Sequence, residues 1–223
     1  GVFMAGEIGE GKLYGVSLSP FVRKVRAVLA IKSVDYELVN VMPGALDADF
    51  QVKSPLSKIP VWEEGDWSLP DSSVICAYLE RKVPSPSIYP SQARAFATTL
   101  FWEEYADTRM VESGGPIFFQ RVVQAKVFKQ DPDEEIVRRH IEEVLPPVFD
   151  QLEAIFIERD RADPTELSVG NLSIWSPFVN LDHAGYKLDS TTWPGLAKFL
   201  EGFGEHAVLQ KIVEEERAAL ATF

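Results

Sequence analysis

The spacing of apolar residues changes about a third of the way along this 223-residue chain. In the first third, apolar runs of strand length alternate with stretches in which apolar residues recur at helical spacing. The strand-like runs lie at 12–16, 35–41, 58–62 and 67–69. The first helix is expected from Pro20, a short one over 47–53 and a third from 71 or 72. The order is thus predicted as β-α-β-α-β-β-α, with the first two strands parallel because a helix joins them.

Beyond a stretch rich in proline and serine, only helical periodicity is found. Pro84, Pro86 and Pro90 mark 84–90 as a linker. Helical segments are predicted over 92–112, 116–129, 133–158, 170–184, 193–202 and 205–219, with breaks at 114–116, 131–132, 162–164 and 193–194. The fold class is therefore an α/β domain over 11–83 followed by an all-α domain over 91–223. Residues 1–10 look like a flexible leader.

Charge and composition narrow the classes of function. The net charge of −12 argues against nucleic acid and anionic membrane surfaces as partners, because both attract basic proteins. No apolar run approaches the ~18 residues of a membrane span. The single cysteine, Cys76, cannot form an internal disulfide and fits a reducing, cytoplasmic location. The three histidines, His140, His183 and His206, lack metal-ligand spacing, so no metal is expected.

Ser19 stands where the first strand turns into the first helix. A helix N-terminus offers free N–H groups and partial positive charge, which favour an anion, and a serine hydroxyl there can donate to a thiolate. The same position also suits a serine that only caps the helix. Ser17 is a rival hydroxyl two residues upstream. A C-x-x-C pair, which would carry out disulfide exchange, would fall at positions 19 and 22 of this turn. Because these residues are Ser19 and Val22, disulfide exchange is not expected.

Three further features could complete a binding site. A proline inside an apparent strand, Pro60, indicates either an edge strand or a cis bond that leaves the backbone of Ile59 free for a peptide-like ligand. Asp71 and Ser72 open the third helix, either as a double cap or with one side chain left to hold a carboxylate. Lys58 could meet a second carboxylate. Together they suggest a site for a short peptide with a central thiol.

The segments 13–15, 19–25, 54–61 and 69–80, in this order and spacing, resemble the N-terminal domain of cytosolic glutathione transferases of the serine type. Two later segments, 102–107 and 176–180, resemble bacterial members of that family. The resemblance covers roughly residues 11–215. It implies an N-terminal thioredoxin-like domain followed by a helical bundle.

The resemblance also implies an activity and a set of glutathione contacts. The enzyme would transfer alkyl or aryl groups to glutathione, its co-substrate, in detoxification, and would form a homodimer. Ser19 would be the catalytic residue that activates the glutathione thiol. Ile59 would pair with the cysteinyl unit, Asp71 and Ser72 would bind the γ-glutamyl unit, and Lys58 would contact the glycyl carboxylate.

The second substrate is expected to be a small apolar electrophile. By the same resemblance its pocket would be formed by Phe21, which would also touch glutathione, and by Tyr105, Arg109 and Phe118. Aromatic residues at helical spacing can equally belong to a core. Two other functions stay open: a glutathione-dependent isomerase, dehalogenase or peroxidase, and a non-catalytic binding module of the same fold.

Overall fold

The computed structural model describes residues 11–42, 47–157 and 165–223, so the expected leader lies outside the described residues. The chain divides into two compact units, Gly1–Tyr89 and Pro90–Phe223, called here the sheet unit and the helical unit. Among the helices in the described ranges, none is both long enough and apolar enough to cross a membrane.

Within its described residues, 11–42 and 47–89, the sheet unit contains four strands and three helices. In chain order they are β1 (Gly11–Gly15), α1 (Pro20–Ile31), β2 (Tyr36–Asn40), α2 (Ala48–Lys53), β3 (Val61–Glu64), β4 (Trp67–Pro70) and α3 (Ser72–Lys82). The strands lie in the order β2-β1-β3-β4, with β1 parallel to β2 and antiparallel to β3, and β3 antiparallel to β4. This confirms the predicted thioredoxin-like order and the parallel first pair.

Strand β3 begins later than predicted. It starts at Val61 rather than at 58, because Pro60 has no N–H to donate to a ladder. The core of the unit lies between the sheet and the helices α1 and α3. Its fully buried side chains include Leu13, Val25, Val28, Leu29, Trp62, Ile75, Cys76 and Leu79.

Helix α1 buries polar side chains as well as apolar ones. Arg23, Lys24 and Arg26 are all buried. Hydrogen bonds offset the cost of removing these cations from water: Arg23 donates to the carbonyl of Leu18, and Lys24 donates to the hydroxyl of Ser73. The apolar periodicity therefore found one buried face of the helix and missed a second, polar one.

A buried lysine ties the end of α1 to the chain that follows α3. Lys32 Nζ donates to Glu80 Oε2 at 2.6 Å, to the carbonyl of Val83 at 2.7 Å and to that of Pro86 at 2.8 Å. The carboxylate of Glu80 also accepts from the N–H of Ile88 at 3.2 Å. All three ammonium hydrogens thus have acceptors, and the segment 83–88 is held against the ends of α1 and α3.

The helical unit consists of helices, some of which contain wider π-helical turns. In chain order they are α4 (Ala93–Tyr105), a π-helical stretch (Ala106–Met110), α5 (Val111–Phe118), a second π-helical stretch (Phe119–Val127), α6 (Glu134–Arg139), a third (His140–Val144), α7 (Leu145–Ile157), α8 (Val169–His183), α9 (Pro194–Gly204) and α10 (Ala207–Leu220). Helix α8 is its centre, with every residue from Val169 to Leu181 buried.

The predicted break at 114–116 is wrong, because helical structure continues from Ala93 to Val127. Pro116 lies inside α5 and cannot donate a backbone hydrogen bond. The neighbouring π-helical turns change the hydrogen-bond pattern, so the helix can continue past this proline. Gly114 is buried, and a Cβ there would come within 3.3 Å of Leu181 on α8. This glycine therefore permits close helix packing. The breaks at 131–132 and 193–194 are confirmed, while that at 162–164 lies outside the described residues.

Candidate functional site

The register of the sheet brings three sequence motifs to one end of the sheet unit. Tyr14 near the end of β1 pairs with Val61 at the start of β3, and Val61 pairs with Pro70 at the end of β4. The turn with Ser19 follows β1, Ile59 precedes β3, and α3 opens directly after β4. These segments are far apart in sequence and become neighbours because β3 is antiparallel to both adjacent strands.

Ser19 is the N-cap of α1. Its N–H donates to the carbonyl of Val16 at 3.1 Å, which closes the turn that contains Ser17. Its Oγ accepts from the N–H of Val22 at 3.3 Å. Capping uses an oxygen lone pair, so the hydroxyl hydrogen of the half-buried Ser19 can still be donated to a ligand. The capping role and the donor role are thus compatible. Ser17 does not cap the helix.

Two buried cations lie in the first turns of the same helix. The guanidinium of Arg23 donates to the carbonyl of Leu18, which precedes Ser19, at 3.4 Å. The ammonium of Lys24 donates to Ser73 Oγ at 3.3 Å and so joins α1 to the first turn of α3. Both add positive charge near the N-terminus of α1, where the helix dipole already favours an anion.

The chain before β3 lies against the end of β1. The Ile59–Pro60 bond is cis, one of the two forms that the sequence allowed. A Cβ built on Gly15 would lie 3.6 Å from the Cβ of Ile59, so this segment borders the turn after β1. The buried hydroxyl of Ser54 donates to the carbonyl of Lys58 at 2.7 Å and accepts from its N–H at 3.0 Å. The loop is therefore held by its backbone, and the Lys58 side chain is exposed.

Asp71 alone caps α3. Its Oδ1 accepts from the N–H of Ser73 at 2.9 Å and of Val74 at 3.2 Å. Its φ of 81° is a conformation that costs a non-glycine residue about 1–3 kcal/mol and that clusters at functional sites. Ser72, although buried, forms no side-chain hydrogen bond with any described residue. One oxygen of Asp71 and the hydroxyl of Ser72 are therefore left over from capping.

Lys53 of α2 forms a polar cluster with Tyr14 and Glu63 of the sheet, and the sequence analysis did not predict it. Lys53 Nζ bonds to the carboxylate of Glu63 and to the hydroxyl of Tyr14, and that hydroxyl donates to Glu63 at 3.0 Å. The hydrogen bond to Glu63 raises the pKa of Lys53. Burial alone would raise the pKa of Glu63, but the bonds from Lys53 and Tyr14 lower it. Lys53 and Tyr14 also line a cavity of 420 Å³. Tyr14 lies on β1 and Glu63 on β3, so no local sequence pattern could predict that these side chains meet.

The residues predicted to hold an electrophile fall in both units. Phe21 is half-buried in the first turn of α1. In the helical unit, the hydroxyl of Tyr105 donates to Gln151 of α7. Burial raises the pKa of Tyr105, and the nearby charge of Arg109 opposes this. Phe118 ends α5, more than two turns further along. Within the described residues, no His, Cys, Asp and Glu side chains cluster as metal ligands would.

Comparison with known proteins gives a consistent picture. Residues 13–87 match the family model "Glutathione S-transferase, N-terminal domain". Glutathione S-transferase Z2 of Arabidopsis thaliana is 26% identical over 211 residues, covering 92% of each chain. Glutathione S-transferase 3 of Zea mays is 35% identical over 147 residues, covering 64% of this chain and 65% of that one. The crystal structure of glutathione transferase F7 from Populus trichocarpa is similar with a TM-score of 0.76 at 26% identity, covering 92% of this chain and 98% of that one. By sequence and by fold, the chain is similar to glutathione S-transferases, and residues 13–87 match the N-terminal domain of that family.

Proposed function

We propose that this protein is a serine-type glutathione transferase, in which Ser19 stabilises the thiolate of glutathione for attack on a small apolar electrophile. The observation that carries the proposal is the placement of Ser19, the backbone before Pro60 and the Asp71–Ser72 pair at one end of the sheet unit. Relatives that align over most of their length are named glutathione S-transferases, which supports the same chemistry here.

The proposed chemistry depends on the charge of the thiol sulfur. A free thiol has a pKa of about 8.5, so little of it is thiolate at neutral pH. A hydrogen bond to a charged group is worth about 1.5–3 kcal/mol. If Ser19 gives this bond to the thiolate alone, the pKa of the bound thiol falls by about 1–2 units. The sulfur then forms a bond to carbon of the electrophile, and the leaving group departs with its electron pair.

The rest of the glutathione molecule would be held by groups that capping and sheet pairing leave unused. The second oxygen of Asp71 suits the γ-glutamyl ammonium, and the hydroxyl of Ser72 suits its carboxylate. The backbone of Ile59 would pair with the cysteinyl unit. The exposed ammonium of Lys58 would meet the glycyl carboxylate, and Phe21 would border the thiol.

Calorimetry with glutathione tests this function. The wild-type protein is expected to bind one glutathione per chain, and Asp71→Asn is expected to bind about tenfold more weakly because a charge-assisted bond to the ligand is lost. Asparagine caps helices as well as aspartate, so α3 is expected to stay intact. Asp133→Asn is the matched control, since Asp133 caps α6 through the same two kinds of bond. Wild-type protein that releases no saturable heat with glutathione would disprove the proposal.

We also propose that two copies of the chain form a homodimer through α4. Phe101 on this helix is 58% exposed, with its ring against those of Trp102 and Tyr105. Phe101→Asp is expected to shift the sedimentation coefficient from dimer to monomer, because a charge would be buried at the interface. Val52→Asp, at an 83% exposed position of α2, should leave the dimer unchanged. A wild-type protein that sediments as a monomer would refute this part.

A cytoplasmic location and a role in detoxification belong to the same proposal. Cys76 is buried and is the single cysteine of the chain, so it cannot form an internal disulfide, which is compatible with a reducing compartment.

A further inference from the structure

The helical unit contains a large cavity that the proposed glutathione chemistry does not use. It has a volume of 920 Å³ and lies among α8, the loop after it, α9 and α10. Its apolar lining includes Trp175, Phe178, Tyr186, Leu200, Leu209 and Val213. Pockets for small molecules measure about 300–1,000 Å³ and are lined mainly by apolar and aromatic side chains with a few polar groups. Size and lining therefore match a small-molecule site.

The charged side chains around the cavity are not balanced. Arg217 Nη2 lies 3.1 Å from Asp182 Oδ2, and Lys187 Nζ lies 3.7 Å from Asp182 Oδ1, so the two basic residues share one acid. Glu201 and Glu214 also line the cavity. Neither has an ion pair or a side-chain hydrogen bond with any other residue in the described part of the chain. The lining residues thus include three acids and two bases, a net charge of −1, and the exposed carboxylates of Glu201 and Glu214 are the two acids outside the ion pairs with Asp182.

We propose that this cavity binds a small organic cation, such as a protonated aromatic amine. Its apolar body would lie on the rings of Trp175, Phe178 and Tyr186, which attract cations through their faces. Its charge would lie near Glu201 and Glu214. An anion of the same size would be disfavoured by the net negative charge of the lining, which remains after Lys187 and Arg217 are counted, and by the net charge of −12 of the chain. The proposal is independent of the glutathione site, since every lining residue belongs to the helical unit.

Two glycines of α9 offer a matched pair of variants. A Cβ built on Gly204 meets no atom of another described part of the chain within 4 Å, and Gly204 lines the cavity. The same is true of a Cβ built on Gly202 among the described residues, but Gly202 does not line the cavity. Gly204→Phe should therefore place a ring at the cavity with no clash at its Cβ, whereas Gly202→Phe places the same side chain at a position that does not line it.

The test uses the full chain and two fluorescent dyes, cationic thioflavin T and anionic anilinonaphthalene sulfonate. Thioflavin T is expected to bind saturably, more tightly than the anionic dye, and at least tenfold more weakly to Gly204→Phe than to Gly202→Phe. The double variant Glu201→Gln with Glu214→Gln should bind it about fivefold more weakly, because two exposed charge contacts are lost. Thermal unfolding checks that each variant is folded.

Three results would overturn the proposal. They are no saturable binding of thioflavin T to the wild type, equal affinity for Gly204→Phe and Gly202→Phe, and tighter binding of the anionic dye. Unchanged affinity in the glutamate double variant would equally rule out the assigned role of the carboxylates.

Discussion

Replacing Ser19 with alanine is expected to lower kcat/KM for glutathione conjugation about 10- to 100-fold, the equivalent of the lost charge-assisted bond. Binding of glutathione should change little, because the hydroxyl acts mainly on the thiolate. The pKa of the bound thiol should rise towards about 8.5, the value of a free thiol. The loss should therefore be largest at neutral pH and should shrink as the pH rises, since the thiolate then forms without help. Rate profiles against pH and thiolate absorbance measure both effects.

Two variants separate this role from the capping role of Ser19. Loss of the cap itself would cost about 1 kcal/mol of stability, which thermal unfolding would detect. Ser19→Thr keeps a hydroxyl at the cap and should keep most of the activity. Ser17→Ala removes the neighbouring hydroxyl and should behave as the wild type. Full activity of Ser19→Ala together with loss of activity in Ser17→Ala would transfer the role to Ser17.

Replacing Lys32 with methionine is expected to lower the free energy of unfolding by about 3–5 kcal/mol. Lys32 is 4% exposed as a residue, and its ammonium provides hydrogen bonds to Glu80, Val83 and Pro86. Methionine fills similar space but leaves a carboxylate and two carbonyl oxygens without their donor. Urea unfolding followed by a probe in the sheet unit measures the loss. Lys82→Met, at an exposed position near the end of α3, should change stability by less than about 0.5 kcal/mol.

A double-mutant cycle identifies the partner of Lys32. Glu80→Gln alone should also destabilise the protein, because the buried ammonium then loses its countercharge. The double variant should cost clearly less than the sum of the two single variants, since neither charge is left alone. Additive effects, or a loss below about 1 kcal/mol for Lys32→Met, would show that the pair does not hold the segment 83–88.

Much of the sheet unit could be predicted because its signals are local. Pro20 in the first turn, Ser19 as cap and Asp71 before α3 are choices made by residues within three or four positions of each other. The order of strands and helices follows from apolar periodicity, which burial against one layer imposes. Even the pairing of the first two strands follows from the length of the chain between them.

The features that were missed depend on contacts between distant residues. Gly114 and Pro116 have the composition of a helix end, yet both lie inside α5, where Gly114 packs closely against Leu181 of α8. Lys24 belongs to a polar face by its chemistry, yet the hydroxyl of Ser73 makes its burial tolerable. No pattern along the chain contains either partner, because each lies some 50 residues or more away.

The candidate site likewise combines features that are local in sequence with features that depend on contacts between distant residues. Ser19, Pro60 and the Asp71–Ser72 pair could be chosen from the sequence alone, because turns, caps and interrupted strands are short-range features. Their convergence required the register in which Tyr14, Val61 and Pro70 lie side by side. The cavity lined by Glu201 and Glu214 arises where three helices pack together. The shape of such a cavity depends on how side chains from separate helices pack together. Apolar periodicity along one helix does not determine that packing, so the cavity could not be predicted from the sequence.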